Sequence, residues 1–341
     1  MAAAGASGLY VNPNTGAAQA GLAPFRNALI NGDMRINQRG TSTNLASMTA
    51  VATASPGSWV TDRWNVYRGG FAAGGVMGQG TNLTTNDLPF NDAGVKTFGR
   101  IGRLINNTST VDCALSYNME SQDCYRFIGK TITLSFYYRT GANFSSTILY
   151  AAVYTGTGTD QALRSGVTGS LTAGLLTFTP NIAWKKMSLT CTLSANINQI
   201  QLAFSYVPVG TALGADYFDI TGVQLELGSV ATPFEVRPYP VELQICKRYY
   251  ERFILRIYVY ISVANGYFVT FYPFVTKRAT PNGGAIGQNA GSYYTSGTLN
   301  VAGFYLEGQN INNTGVTVQS SSGTAATVDT GSREFWVDAE L

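Results

Sequence analysis

Two glutamates, Glu226 and Glu235, stand on either side of Pro233. A facing pair of carboxylates is the apparatus of glycoside hydrolysis, one acting as acid and the other as base or nucleophile. Glu226 falls near the end of a strand pattern and Glu235 in the loop that follows, and nothing in the local sequence makes them converge. A structural role is therefore expected. Asp33, with a carboxylate such as Glu226, is the material of a structural calcium site, but the dense oxygen cluster that calcium takes is missing. The tripeptide Asn31-Gly32-Asp33 is also a turn signal, because Asn and Gly accept positive φ and Asp caps exposed amides. The turn is the expectation.

The 341 residues include no histidine, which removes the usual general base, the usual pH switch and the commonest zinc ligand. Four cysteines, Cys113, Cys124, Cys191 and Cys246, form no CxxC pair. Cys191 lies in the inward run Met187, Leu189, Cys191, Leu193, and Cys246 lies in a helical pattern. Buried free thiols, as in a reducing cytoplasm, are expected. No catalytic residue, metal ion or cofactor follows from this inventory, and the chain reads as a non-enzyme.

The tyrosines offer recognition chemistry. Aromatic faces stack on the C–H faces of sugars while phenols hydrogen-bond. Tyr293-Tyr294 sits in a Gly/Ser-rich stretch and is the candidate ligand-binding pair. Tyr258 and Tyr260 alternate away from the apolar face of their strand and are expected at a subunit interface. In Asp62-Arg63-Trp64 the tryptophan is expected in the core, with Asp62 or Arg63 making local hydrogen bonds.

The elements that position these groups are strands. Only 12% of residues are charged, about half the usual share, and Gly reaches 38 with 20 Tyr and 17 Phe. That composition suits sheets joined by tight turns, with a surface of hydroxyls, amides and tyrosine or one partly hidden by other subunits. The net charge of +3 is spread without a basic cluster, so no nucleic-acid groove is expected. No secretory signal is visible and no apolar run approaches a membrane span.

In Thr131–Thr140 the residues Ile132, Leu134, Phe136 and Tyr138 share one face; in the run at 199–207, Ile200, Leu202, Phe204 and Tyr206 do the same. Many short strands without intervening helical periods predict an all-β fold, with an N-terminal jelly-roll or β-sandwich over 25–238 and a smaller C-terminal β-sandwich domain over 254–341. Residues 1–24 are small and polar, an arm that is flexible or ordered only against a partner.

The junction, Phe218 to Tyr250, reads as a strand with Val223, Leu225 and Leu227 inward and Gln224 and Glu226 outward, ended by Gly228. A loop kept irregular by Pro233 and Pro238 follows, and Pro240 suits the first turn of a helix. Val241, Ile245, Tyr249 and Phe253 then recur at one-turn spacing, predicting a helical neck over 239–253. With Leu243, Cys246 and Tyr250 on adjoining faces, apolar surface exceeds one stripe, so these four residues are the candidate interface of a homotrimer.

Several of these runs resemble bacteriophage tail-fibre-like virion structural proteins that carry a carbohydrate-binding-module-like β-sandwich. The runs are Asn27–Gly40, Gly57–Arg68, the strand 127–140 with its GK-x-hydrophobic pattern, the QLE…ATPFE…RP junction with its ELxxCxRYY helix, Tyr272–Gly284, and the terminal VDAEL. The resemblance covers nearly everything after residue 24. It implies a virion location after assembly in the host cytoplasm and attachment to other virion proteins through the arm. It also implies host attachment by binding surface glycans. A head fibre, capsid decoration or tail adaptor without receptor binding is the alternative. A polysaccharide-cleaving enzyme fits less, since tailspike depolymerases resemble long β-helices and no repeat of that kind is present.

Overall fold

The computed structural model describes residues 9–11, 18–20, 25–40, 50–51, 59–68, 75–81, 83–255, 258–261, 267–273, 275–279, 282–286, 294–295, 305–311, 315–321, 326–329 and 333–340. Within the segment expected to be an arm, β1 (Leu9–Val11) pairs with β2 (Ala18–Ala20). The main body is built from β3 (Ala50–Val51), β4 (Trp59–Thr61), β5 (Trp64–Arg68), β6 (Gly75–Gly80), β7 (Phe98–Arg103), β8 (Cys113–Asn118), β9 (Thr131–Thr140), β10 (Leu149–Gly156), β11 (Leu171–Phe178), β12 (Lys185–Thr192), β13 (Gln199–Tyr206) and β14 (Asp216–Leu227). They form two six-stranded antiparallel sheets, β11-β10-β13-β8-β5-β4 and β12-β9-β14-β7-β6-β3. From β8 to β14 the chain changes sheet at every step except between β10 and β11. This is the β-sandwich that the strand pattern predicts.

Period-two alternation fills the space between the sheets. Ile132, Leu134, Phe136 and Tyr138 of β9 and Ile200, Leu202, Phe204 and Tyr206 of β13 all lie in one buried cluster. Phe136 meets Phe204 edge-on at 4.9 Å between ring centroids, and Tyr138 meets Phe178 at 4.6 Å. Met187, Leu189 and Cys191 of β12, at the sheet edge, are only partly buried against this core. Cys113, Cys124 and Cys246 are buried free thiols and Cys191 a half-buried one. One end of the sandwich is closed by a buried ion pair, Arg103 to Asp216 at 2.6 Å. The Arg103 guanidinium also donates to the carbonyls of Ser109 (2.7 Å) and Gly210 (2.8 Å), which fixes two loops on one charge.

Trp64 is fully buried, and its indole N–H donates to the Asn31 carbonyl at 2.9 Å. Asn31-Gly32-Asp33 is a turn, as predicted. Asn31 holds a left-handed φ of 58°, and the Met34 N–H closes onto the Asn31 carbonyl at 2.9 Å. A Cβ on Gly32 would stand 2.2 Å from the Val223 carbonyl oxygen, so the turn lies directly against β14.

Two short helices, α1 (Leu88–Ala93) and α2 (Ser121–Cys124), lie in connections where the strand pattern gave no helical period. The junction helix α3 spans Tyr239–Lys247, shorter than the predicted neck. Residues 250–253 are strand instead. β15 (Tyr250–Leu255) pairs with β23 (Arg333–Asp338), which pairs in turn with β18 (Asn282–Ile286). Ladder hydrogen bonds to a distant partner override a one-turn spacing that is also satisfied by an extended chain. The remaining C-terminal strands are β16 (Tyr258–Ile261), β17 (Tyr267–Pro273), β19 (Tyr294–Thr295), β20 (Tyr305–Ile311), β21 (Gly315–Ser321) and β22 (Ala326–Asp329). They form two three-stranded antiparallel sheets, β16-β22-β19 and β17-β21-β20.

Candidate functional site

The predicted carboxylates are built into the junction. Glu226 accepts from the Thr232 N–H (2.9 Å), the Thr232 hydroxyl (2.6 Å) and the Gln224 amide (2.9 Å). Glu235 accepts from the N–H groups of Phe25 (2.6 Å) and Asn27 (2.8 Å). Gln224 links the two regions by accepting from the Glu235 N–H at 2.9 Å. Both carboxylates are thereby committed to holding the proline loop and the entering chain against β14, the structural role expected of them. The outward side of β14 is accordingly covered, since Gln224 and Glu226 are buried, whereas Leu227, predicted inward, is exposed at the strand end.

Asp33 pairs with Arg35 at 3.3 Å rather than with Glu226. Burial pushes its carboxyl up to about 6, with Arg35 opposing and Glu242 adding to the rise. Among the described residues no group of three or more metal-ligating side chains comes together.

Asp62-Arg63-Trp64 departs from the local hydrogen bonding predicted for it. Asp62 accepts from the Gln38 N–H (3.0 Å) and side-chain amide (2.7 Å), and burial pushes its carboxyl up to about 7. Arg63 reaches the far end of the chain. Its guanidinium pairs with Glu340, donates to the Asn118 carbonyl at 2.6 Å and lies 3.6 Å from the Tyr249 ring centroid. Arg39 pairs with Asp338 at 2.8 Å, Arg278 with Asp160 at 3.3 Å, and Arg248 with Glu120 at 3.0 Å. The last residues of the chain are thus bonded to the sandwich by charge.

The candidate trimer stripe is divided by this arrangement. Tyr249 and Phe253 are buried within the chain, and Ile245 is half-buried against the cluster of Ile30, Ile36, Cys246 and Tyr249. Val241 is exposed, as is Tyr239 beside it. Of the tyrosine candidates, Tyr293 lies outside the described residues. Tyr294, Tyr258 and Tyr260 are placed only as backbone of β19 and β16.

The outward faces of the two sheets differ in how their polar groups are satisfied. On the sheet containing β9 and β14, Asp219 is fully buried and takes Arg100 in a two-pronged pair (2.6 and 2.8 Å) and Arg139 at 2.7 Å. Arg100 stacks on Tyr217 at 3.4 Å and Arg139 lies 4.8 Å from the Trp184 ring. Charge meets charge there, although the Tyr137 hydroxyl and Trp184 indole N–H have no hydrogen-bond partner.

On the other sheet the outward positions form a grid of tyrosines, small residues and amides. Tyr154, Gln201 and Asn118 stand abreast on β10, β13 and β8. Ala152, Ala203, Ser116 and Asn65 make the next row, and Tyr150, Ser205 and Ala114 the one beyond. Tyr150 and Tyr154 are half-buried, beside the exposed Leu175 and Thr172 of β11. Gln201 is fully buried, yet neither its amide N–H₂ nor its carbonyl has a hydrogen-bond partner, and the Gln199 carbonyl and Asn65 N–H₂ are also unpaired. The loop 157–169 touches this face at one end, where the Leu163 N–H donates to Asn118 (3.0 Å) and the Gln199 amide donates to the Gln161 carbonyl (3.2 Å). A buried polar group without a partner costs about 1–3 kcal/mol, so this row is a standing demand for hydrogen-bonding atoms from outside the sheet.

No family model matches the chain, and no curated protein matches it. Among solved structures, the chain is similar to a putative sugar binding protein from Bacteroides thetaiotaomicron VPI-5482. The identity is 10%, the coverage 59% of this chain and 100% of that one, and the TM-score 0.38. It is also similar to the family 11 carbohydrate-binding module of the cellulosomal cellulase Lic26A-Cel5E of Clostridium thermocellum (10% identity, 50% of this chain and 90% of that one, TM-score 0.30). A third is the CBM22-2 xylan-binding domain from Paenibacillus barcinonensis Xyn10C (9% identity, 49% and 92%, TM-score 0.31).

Sequence reasoning singled out tyrosines in the C-terminal half and passed over the grid on β10, β13 and β8. A signal was present. In Gln199–Tyr206 the positions alternating with the core residues read Gln, Gln, Ala, Ser, and in Cys113–Asn118 they read Ala, Ser, Asn. Small and amide residues repeated on adjacent central strands mark a face that is neither core nor charged surface.

Proposed function

We propose that this chain is a non-enzymatic virion structural protein that binds host surface glycans on the outward face of the β10-β13-β8 sheet. The observation that carries the binding site is Gln201, buried with both ends of its amide unpaired between half-buried Tyr154 and buried Asn118. A sugar hydroxyl both donates and accepts, which is what an unpaired side-chain amide needs, and tyrosine supplies the stacking surface. In this reading a glycan enters from the β11 edge, past Tyr150 and Tyr154, toward Gln201. The virion role, in a tail fibre or tail-associated position held through residues 1–24, is supported by the sequence motifs of the junction. Assembly as a homotrimer would add avidity to weak individual sites.

The test is binding of the purified chain to host cells and to polysaccharide extracted from them. Tyr154→Ala and Gln201→Ala should each weaken binding at least about fivefold, the loss of roughly 1 kcal/mol of contact. Binding by the variants equal to that of the unmodified chain would remove the sheet face from the reading. Absence of any binding would leave the purely structural role of a head fibre, capsid decoration or tail adaptor. Antibody labelling of purified particles tests the virion location separately.

A further inference from the structure

We infer that a second saccharide-binding cleft lies where the β8–β9 connection meets the entering chain, between Phe25 and Tyr125. A cleft of about 450 Å³ opens there, lined by Phe25, Gln122, Asp123, Tyr125, Arg126 and Arg237, among others. It shares no residue with the β10-β13-β8 grid and follows from different observations.

The two aromatic rings are far more exposed than their type allows by default. Phe25 is 53% and Tyr125 64% exposed, in a chain whose other described Tyr and Phe are mostly in the core. Phe25 is held in place from both sides. Its N–H donates to Glu235 at 2.6 Å, and its carbonyl accepts from Arg126 at 3.4 Å. Its φ of 59° is left-handed, a conformation bulky residues rarely adopt. Folding thus fixes an apolar ring at the mouth of a cleft instead of hiding it.

Between the rings stand groups suited to neighbouring hydroxyls. The Asp123 carboxylate and Arg126 guanidinium are each planar and two-pronged, matching a pair of vicinal sugar hydroxyls as acceptor and donor. Neither makes an ion pair within 4 Å among the described residues, and burial raises the Asp123 carboxyl while lowering the Arg126 guanidinium. At the back, Arg237 is 7% exposed and lies 5.5 Å from the Phe25 ring. Its terminal nitrogens bond the Leu29 and Asn27 carbonyls and Glu242, yet its Nε–H is buried without a partner. Asp123 and the neighbouring Glu235 face Arg126, and Arg237 is paired with Glu242, so the mouth carries no excess positive charge. That balance favours a neutral sugar ring over an anionic one.

The experiment is saturation-transfer NMR with glucose, galactose, N-acetylglucosamine and xylohexaose as probes, using the full chain. It is run in the Gln201→Ala background, so that failure of the sheet-face site and failure of this one are read separately. Tyr125→Ala and Arg126→Gln, both at exposed positions, should leave circular dichroism and Tm unchanged. Each should weaken binding of at least one probe by about fivefold or more, the worth of one stacking or charge-assisted contact. Probe binding in that background that neither substitution alters would overturn the inference. So would the absence of any probe binding in it.

Discussion

Arg63 and Glu340 lie 277 positions apart and form a buried ion pair. Arg63 comes from the tight turn between β4 and β5, where its φ of 72° is left-handed, and Glu340 from the chain just beyond β23. The guanidinium is sandwiched between the Tyr117 and Tyr249 rings, at 5.0 and 3.6 Å. One contact therefore joins the sandwich, the junction after α3 and the end of the chain.

Breaking that pair from the Glu340 side strands a buried cation. Glu340→Ala is expected to destabilise the chain by about 3–5 kcal/mol, the usual cost of leaving one partner of a buried ion pair uncompensated. Urea unfolding measures it, and hydrogen exchange should show β23 losing protection before β9. A shift in urea midpoint no larger than that of an exposed Glu→Ala control would contradict the burial of the pair.

Stability should fall as pH rises from about 4 to about 7. Burial raises Asp62 to about 7 and Asp33 to about 6 in the folded chain. Both titrate near 4 when unfolded, so the native state binds more protons across that window and each deprotonation works against folding. Asp62 is faced by Gln38, Arg39 and Glu340, with Tyr250 and Cys246 also near. Asp62→Asn keeps an acceptor for the Gln38 N–H and removes the ionisation. Urea midpoints of this variant across the window should be flatter than those of the unmodified chain, and an unchanged slope would exclude Asp62 as its source.

Gly32→Ala tests the close approach of the Asn31–Met34 turn to β14. The added methyl would sit 2.2 Å from the Val223 carbonyl oxygen and 3.2 Å from the Phe234 ring. Backbone cannot rotate out of the way, so a loss of about 3 kcal/mol is expected, at the upper end for overpacking. Thermal unfolding reads it, and Gly214→Ala, where a Cβ meets nothing within 4 Å and φ is not left-handed, supplies the comparison without a clash.

If α3 makes a trimer neck, its contact must use the exposed Val241 and Tyr239, because Tyr249 and Phe253 are already buried within the chain. Val241→Asp should then convert a trimer to monomers in sedimentation velocity with the fold retained by circular dichroism. Tyr249→Ala should instead lower Tm through a stability loss of about 3–5 kcal/mol, typical of an aromatic core truncation. A monomeric unmodified chain would end the trimer proposal.

The strand alternation was legible in the residues themselves. Ile132, Leu134 and Phe136 had to face one way because a pleated strand has period two, and the tight turn at Asn31-Gly32-Asp33 followed from the conformations Asn and Gly accept. Gly228 and Pro240 marked the end of β14 and the start of α3 for equally local reasons. Partner choice was not legible. A structural role was expected for Glu226 and Glu235, but Thr232, Phe25 and Asn27 became their partners only on folding. Tyr250–Phe253 continued a helical spacing until β23 arrived as a ladder partner. Gln201 alternated with the core in the sequence. Only the assembled sheet showed it buried with its amide unpaired, because satisfaction of a hydrogen bond depends on what docks from far along the chain. Periodicity is a property of one segment, whereas burial, pairing and the spaces left between segments belong to the fold.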